Sequence, residues 1–446
     1  MQKQITILGA GYVGLTTAAL LAQCGYIVYI IEPNDKRLAS IRNGRSFFYE
    51  AGINTLIQAG LDSYNLRPTN SYEEAIPGSH IVFSCVGTPD SPDGSSNLTY
   101  VFTAAKEAAK HMPEDTIYVQ KSTVPVGTGR KLTELFSQLV PTASYISSPE
   151  FLREGTAIQD TLFPDRVVAG GDNNEAIEEV LTIYRKLEKH SSTIAHLCGT
   201  STQNTSPLYI ATSLNSAELI KVTANAFLAL KISFANSIAK LADTVDADIV
   251  EVMDAVGADP RIGRAFLNAG RGYGGGCFPK DVSGLIASGL QNGVDLEIMQ
   301  ATQAVNSSMP SYIVHKLQTA LGKDIKGTSV AVLGLAFKAG TSDVRRSPGI
   351  VMANMLAKRG ASVSAYDPQA TEEASHEITS SVALHDTLSS AIKNVDCIII
   401  ATDWPEFIEQ PTDIYASANI LVDATNRLNP QAVKEAGLQY IGIGRN

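Results

Sequence analysis

From Gln4 to about Gly199, short apolar runs alternate with stretches whose apolar residues recur at helical spacing. The runs Gln4–Leu8, Ile27–Ile31, Ile81–Val86, Thr116–Gln120 and Ala143–Ser147 read as strands, and a last pair is expected at Arg166–Gly170 and Thr193–Leu197. Helices between strands place a parallel sheet between two helical layers. The texture then changes. Residues 199–207, GTSTQNTSP, form a polar loop, and from Leu208 to Val256 there is neither glycine nor proline. Leu219, Ile220, Val222, Ala226, Phe227, Leu230, Phe234, Ile238 and Leu241 recur at helical spacing, which predicts a long helix starting near Ser213 or Ser216 and a shorter one after it. From Thr328 the alternation resumes: strands at Thr328–Gly334, Ser362–Asp367, Cys397–Thr402 and Asn419–Asp423, with helices at Gly349–Arg359 and near Thr387–Lys393.

No charge falls between Ile5 and Ile31, a length that could cross a bilayer. Gly9, Gly11, Gly14 and Gly25 divide it into strand, turn, helix and strand instead. The turn, Gly9-Ala10-Gly11-Tyr12-Val13-Gly14, has the spacing of a dinucleotide fingerprint. In that fingerprint the first glycine makes the turn, the second admits the pyrophosphate and the third lets the helix approach the sheet. Glu32, 18 residues after Gly14, ends the second strand. A carboxylate there accepts from the ribose hydroxyls and repels a 2′-phosphate, so NAD is the expected cofactor. Arg37 is a candidate for the adenine or ribose side, and Thr88 and Thr123 follow strands whose carboxyl ends line the crevice. The fold class is therefore α/β, two Rossmann-like domains with parallel sheets joined by a long central helix. Expected bounds are 1–200, 208–310 and 315–446. The second domain opens with GLAFKAG and should not hold a dinucleotide in the same way.

Charge and cysteine content narrow the function. A net charge of −10 argues against a nucleic-acid binder. Cys24, Cys85, Cys198, Cys277 and Cys397 contain no CxxC pair, so reduced thiols in the cytoplasm are expected, with no membrane association. The seven histidines form no HxxxH spacing and no Cys/His cluster, so no metal is expected, and there is no GxSxG elbow.

The segment from Arg261 to Asp281, RIGRAFLNAGRGYGGGCFPKD, carries the most chemistry. Arg261, Arg264, Arg271 and Lys280 have no acid among them, and glycines crowd the approach to Cys277. Cations favour a thiolate, so Cys277 is the candidate nucleophile. Lys221 and Asn225 are four apart on the long helix and share a face, as would Glu150 and Glu154 in PEFLREG if that segment were helical.

GGGCFPKD resembles the catalytic-cysteine motif of the UDP-glucose/GDP-mannose dehydrogenase family. The fingerprint, VGTP, STVPVGTG, SPEFLREG, SAELIKVTANAFLALKISFANSIA, RIG and GLAFKAGTSDVRRSP fit in order, from Ile5 to about Asp423. The resemblance implies oxidation of a primary alcohol to a carboxylate by two NAD in turn. Cys277 would carry a thiohemiacetal and then a thioester. It further implies that Lys221 and Asn225 stabilise the oxyanions and contact substrate, that Asp281 and Thr123 serve the water, and that Glu150 is a general base. Glu154, Lys280 and Arg345 would approach the cofactor, Glu154 also the sugar. Phe151, Leu152, Arg153, Phe266, Leu267, Asn268, Ala269, Gly270, Gly274 and Lys338 would line the substrate. Arg261 would reach the substrate of a neighbouring subunit, so a homodimer or higher oligomer is expected, with the long helix offering a face to the partner.

Phe278-Pro279-Lys280-Asp281 favours UDP-glucose as the sugar; GDP-mannose and UDP-N-acetylhexosamines are the alternatives. Two further readings are a two-electron dehydrogenase with a structural Cys277, and a non-catalytic nucleotide-binding regulator.

Overall fold

The computed structural model describes residues 3–91 and 94–445, in two units, Met1–Ala224 and Asn225–Asn446. The first unit is built on eight strands: β1 (Gln4–Leu8), β2 (Ile27–Ile31), β3 (Leu66–Thr69), β4 (Ser79–Ser84), β5 (Ile117–Gln120), β6 (Ser144–Ser147), β7 (Arg166–Gly171) and β8 (Leu208–Thr212). They lie in the order β3-β2-β1-β4-β5-β6-β7-β8. All neighbours are parallel except β6 and β7. Strand order reverses between β1 and β4, and the ligand crevice of such a sheet lies at that switch. Helix α1 (Tyr12–Gln23) is buried continuously from Gly14 to Ala22, because sheet and helices both cover it. Helices α2 (Thr128–Leu139) and α3 (Asn174–Cys198) complete the layers used below.

Helix α4 (Leu214–Val245) begins in the first unit, and from Asn225 it belongs to the second. The second unit continues with α5 (Ile249–Gly257), α6 (Phe278–Gln291) and α7 (Glu297–Leu321). Its sheet comprises β9 (Ser329–Leu333), β10 (Ser362–Tyr366), β11 (Val382–Leu384), β12 (Cys397–Ile400), β13 (Ile420–Asp423) and β14 (Gln439–Ile441), with helix α8 (Pro348–Lys358) after β9. The order β11-β10-β9-β12-β13-β14 is parallel throughout. Its central strands are fully buried apolar runs, as a sheet covered on both faces requires.

The two-sheet α/β architecture and the long helix agree with the sequence reading, and Ile5–Ile31 is β1, α1 and β2. One expected strand is wrong. Thr193–Leu197 lies in α3, whose buried residues Ile177, Val180, Leu181, Tyr184, Leu187 and Ile194 continue one helical stripe. A short β-branched run imitated a strand there. The eighth strand is Leu208–Thr212, a sheet edge with no fully buried residue, whose apolar sequence LYIAT runs without glycine or proline into the long helix and so carries no boundary of its own. The short strands β3, β11 and β14 escaped notice too, and β4 ends at Ser84, two residues before the expected Val86.

The opening turns of the two sheets are built alike. In the first, Gly9 (φ +89°) donates to Ile31 O at 2.9 Å, and a Cβ on Gly14 would stand 1.9 Å from Gly9 O. In the second, Gly334 (φ +103°) donates to Tyr366 O at 2.8 Å, and a Cβ on Gly349 would stand 2.2 Å from Gly334 O. Positive φ at both turn residues is a conformation that glycine supplies without strain. An acid follows the second strand of each sheet, and here the turns diverge. Glu32 accepts from Ala10 N (3.2 Å) and Asn34 N (3.0 Å). Asp367 accepts from Leu335 N (2.7 Å), Ala336 N (2.9 Å), Trp404 Nε1 (3.0 Å), Gln369 N and Ala370 N (both 2.9 Å). Five donors saturate that carboxylate and leave it no lone pair for a ribose hydroxyl. Asp367 is a staple of the fold; Glu32 keeps accepting capacity.

Asp367→Ala should lower the unfolding free energy by about 3 kcal/mol or more, because it orphans buried donors. Glu32→Ala should lower it by about 1 kcal/mol, for two donors beside a ligand crevice. Urea titrations of both variants measure the contrast, and equal losses would contradict it.

Candidate active site

In the first unit, the fingerprint glycines divide their work. Gly14 packs α1 against the turn, while a Cβ on Gly11 would have no atom within 4 Å. That space lies at the N-terminus of α1, whose N-cap is Gly11 and whose first amides have no capping side chain. A helix N-terminus without a side-chain cap, facing an open space, suits a pyrophosphate. Glu32, buried beside Ala10, supplies the carboxylate for a ribose, so these residues fit a dinucleotide. Tyr12 stacks on Phe48 with ring centroids 3.9 Å apart. The Arg37 guanidinium lies over the Phe47 ring at 4.7 Å. Thr88 is buried and Thr123 half-buried, in loops that follow β4 and β5 by four and three residues.

Glu150 and Lys221 are both buried, and Lys221 Nζ lies 3.3 Å from Glu150 Oε1. The ammonium also faces the Phe151 ring at 5.2 Å, and Arg166 covers that ring at 3.9 Å. Glu150 Oε2 is buried with no hydrogen-bond partner. A carboxylate with one oxygen on a lysine and one unsatisfied oxygen is prepared to accept a proton or a donor from a ligand. Residues 150–154 are loop, not helix. Arg153 pairs with Asp160 through its main-chain N and both sides of its guanidinium, 2.7–3.0 Å, which leaves Glu150 to Lys221. Leu152 and Glu154 are half-buried in the same loop.

Three first-unit residues that sequence reasoning missed hold these loops. Glu50 accepts from Gly155 N (2.8 Å) and Ile158 N (3.2 Å); burial raises its pKa against those backbone bonds. Glu218 accepts from Gly127 N and Gly129 N, both at 2.7 Å. Lys121 is buried and donates to Tyr184 OH at 2.9 Å. Burial disfavours its cation, but Tyr184, Cys85 and Glu150 outweigh that and raise its pKa. Only their charge in otherwise apolar surroundings could have marked them.

In the second unit, Cys277 is exposed at the N-cap of α6. Asp281 in the first turn is buried and accepts from Asn225 Nδ2 and Lys280 Nζ, each at 2.5 Å. Three of the loop's four basic residues are paired with acids. Arg261 is bound to Asp259, Arg264 to Asp254, Leu267 O and Asn268 Oδ1, and Lys280 to Asp281. Arg271 is half-buried and donates to Phe337 O at 2.9 Å. The cation nearest the run-up to the thiol comes from elsewhere: a Cβ on Gly276 would stand 2.4 Å from Arg345 Nη1. Arg345 is itself clamped to Asp343, and its carbonyl accepts from Gly275 N at 2.8 Å. The Arg345 guanidinium thus packs on the cysteine loop.

The rest of that loop is fixed by backbone bonds. Gly270 N donates to Asn236 Oδ1 (2.8 Å) and Arg271 N to Ala424 O (2.8 Å). Gly274 lies against Arg346 O and Pro348, where a Cβ would stand 2.4 Å from the carbonyl. Phe266 holds φ +66° and packs against Phe278 with centroids 6.0 Å apart. A bulky residue at positive φ is strained, and such strain gathers at ligand clamps. Leu267 and Ala269 are buried and Asn268 exposed; Lys338 Nζ lies 5.7 Å from the Phe337 ring. Among the described residues no group of three or more His, Cys, Asp or Glu side chains could hold a metal.

Comparison with known proteins finds three domain models of the UDP-glucose/GDP-mannose dehydrogenase family matching in order. These are the NAD binding domain over residues 3–188, the central domain over 215–308 and the UDP binding domain over 331–430. A UDP-glucose 6-dehydrogenase of Bacillus subtilis (strain 168) is 38% identical, over 99% of this chain and 93% of that protein. One of Rhizobium meliloti (strain 1021) is 37% identical, over 99% of each. Among solved structures, a UDP-glucose dehydrogenase of Pyrobaculum islandicum superposes with a TM-score of 0.88 at 34% identity, covering 100% of this chain and 98% of that one. A UDP-D-ManNAc dehydrogenase of Pyrococcus horikoshii gives 0.85 at 26%, covering 99% of each.

Gly11 and Gly14 separate binding from folding. Gly14→Ala should destabilise the protein by about 3 kcal/mol or more through overpacking, whereas Gly11→Ala should leave the melting temperature in place and weaken NAD binding about tenfold or more. Calorimetry of the two variants with and without NAD tests this; normal NAD affinity in Gly11→Ala would contradict it.

Proposed function

This chain belongs to the UDP-glucose/GDP-mannose dehydrogenase family, and from that membership we propose that it oxidises C6 of UDP-glucose to the carboxylate of UDP-glucuronate with NAD. The observation that carries the substrate is the full-length agreement with relatives named as UDP-glucose 6-dehydrogenases. The placement of Cys277 at a helix N-cap above the Asn225–Asp281–Lys280 cluster supports the route.

Gly9, Gly11, Tyr12, Val13, Gly14, Glu32 and Arg37 would hold NAD, with Thr88, Glu154 and Lys280 beside it, and two NAD bound in turn would supply the hydride acceptor for the two oxidations at C6. Lys221 and Asn225 stabilise the alkoxide and the tetrahedral oxyanions, the charge that grows in each transition state. The Cys277 sulfur adds to the aldehyde carbon as a thiohemiacetal; loss of the second hydride makes a thioester. Water then attacks the acyl carbon and the thiolate departs. Glu150, with Oε1 on Lys221 and Oε2 unsatisfied, takes the proton of that water. Thr123 and Asp281 orient the water. The thiol is needed because a thioester holds the acyl stage covalently and still hydrolyses.

Phe151, Leu152, Arg153, Glu154, Phe266 to Gly270, Gly274 and Lys338 line the UDP-sugar in this reading, and Arg345 steadies the cysteine loop from Gly276. Arg261, whose side chain is 87% exposed, reaches toward a partner subunit. Phe227, Phe234 and Leu241 are exposed at seven-residue intervals along α4 and form the stripe on which a second copy docks. That face accounts for the one described helix long and apolar enough to span a membrane, Leu214–Val245, and the cytoplasm is the proposed compartment.

Wild-type protein should release two NADH per UDP-glucose consumed, and exceed its turnover of UDP-GlcNAc, UDP-ManNAc and GDP-mannose. Cys277→Ser should lose on the order of a thousandfold or more in kcat. One NADH per sugar, or undiminished Cys277→Ser turnover, would reject the covalent route. Sedimentation of Phe234→Asp with Leu241→Asp should show a smaller species than wild type; unchanged mass would remove α4 from the interface.

A further inference from the structure

The Thr123 loop, residues 121–129, is tied down at both ends. At its start, the main-chain N of Lys121 and of Ser122 donate to Ser84 O at 2.9 and 3.1 Å. Ser122 Oγ adds a bond to Val86 O at 2.6 Å. At its end stands the N-terminus of α2, whose N-cap Gly127 (φ +91°) has no side chain to offer the free amides. A helix N-terminus is ordinarily capped by a local Ser, Thr, Asp or Asn. Here both oxygens of Glu218 arrive from α4, 89 and 91 positions away in sequence, and each takes one N–H at 2.7 Å. Glu218 is 2% exposed. Three residues further along the same helix, Lys221 meets Glu150.

One helical turn therefore sets two things: where the Thr123 loop ends and where Lys221 meets Glu150. We propose that Glu218 is a positioning residue for the reaction, holding the Thr123 loop in register with Lys221 and Glu150 through Gly127 and Gly129. This rests on the reading given above for Thr123, Lys221 and Glu150.

A stabilising cap would look different. Burial raises Glu218 from 4.5 to about 7, against the two backbone bonds and the charge of Arg130. The groups facing it are Arg130 on α2, itself paired with Asp172, and the buried Tyr145 on β6. A carboxyl with a raised folded pKa favours the fold while protonated, and that advantage disappears as pH rises from about 4.5 through 7. Above pH 7 its charge opposes stability. A costly buried charge with both oxygens committed to one loop fits a group kept for placement.

The test uses full-length protein and Glu218→Gln, which keeps the volume but turns an NH2 toward one of the two donors. Amide exchange in the 121–130 peptide should quicken about tenfold or more. At pH 8, saturating UDP-glucose and NAD, kcat should fall about tenfold to a hundredfold, with KM for UDP-glucose within about threefold of wild type. The melting temperature at pH 8 should not fall. Unchanged exchange in that peptide overturns the proposal whatever the substrate proves to be. So does wild-type kcat, or a kcat loss matched by a lower melting temperature and recovered on cooling. Absence of NADH from wild-type protein with UDP-glucose overturns only the substrate reading, since the exchange measurement stands without it.

Discussion

A parallel sheet leaves the amides of its carboxyl-end loops without ladder partners, and buried carboxylates, some local and some from distant parts of the chain, take them up. Glu32 receives Ala10 N, Glu50 receives Gly155 N and Ile158 N, and Glu218 receives Gly127 N and Gly129 N. In the second sheet Asp367 receives four backbone amides and Asp423 those of Thr425 and Leu428. Each carboxylate is desolvated and would be unfavourable alone; each amide would be orphaned alone. Together they fix loop backbone without a regular element. The candidate site is as rigid as these carboxylates make it.

This explains what was legible in the sequence. Strands β1 and β2 and helix α4 were read nearly to the residue, because each has an uninterrupted local signal: an apolar run bounded by glycine, or helical spacing with no breaker. The fingerprint was legible since its glycines are adjacent in sequence and in function. Edge strand β8 was not, because no glycine or proline separates its LYIAT from the helix that follows. Nor were Glu50 and Glu218. Their partners lie 89 to 108 residues away, and no periodicity records which loop a carboxylate will meet. Thr193–Leu197 failed for the reverse reason: its local β-propensity was real but the stripe of α3 outweighed it.

The two opening turns show how one backbone plan serves two ends. Gly9 and Gly14 in one sheet, Gly334 and Gly349 in the other, give the same tight approach of helix to turn. What separates them is occupancy. Gly11 faces open space; at the corresponding place Ala336 is fully buried and its carbonyl accepts from Thr402 Oγ1 at 2.8 Å. The second turn is thus filled by the protein's own atoms. A GxGxxG pattern alone does not decide this, since the saturation of Asp367 depends on Trp404, 37 residues on.

Charge around Cys277 follows the same logic of pairing. Taken as a list, Arg261, Arg264, Arg271 and Lys280 seem to bathe the thiol in positive charge, yet Asp259, Asp254 and Asp281 claim three of them. Cys277 itself stands at the amino end of α6, whose first amides carry partial positive charge, and the Arg345 guanidinium, paired with Asp343, lies against the preceding Gly276. Asp281 in that first turn would oppose a thiolate if its charge stood alone. Lys280 and Asn225 neutralise and anchor it, so the carboxylate remains near the sulfur without acting against it. An acid thus stands one helical turn from the exposed thiol, and the neighbouring ammonium balances its charge there.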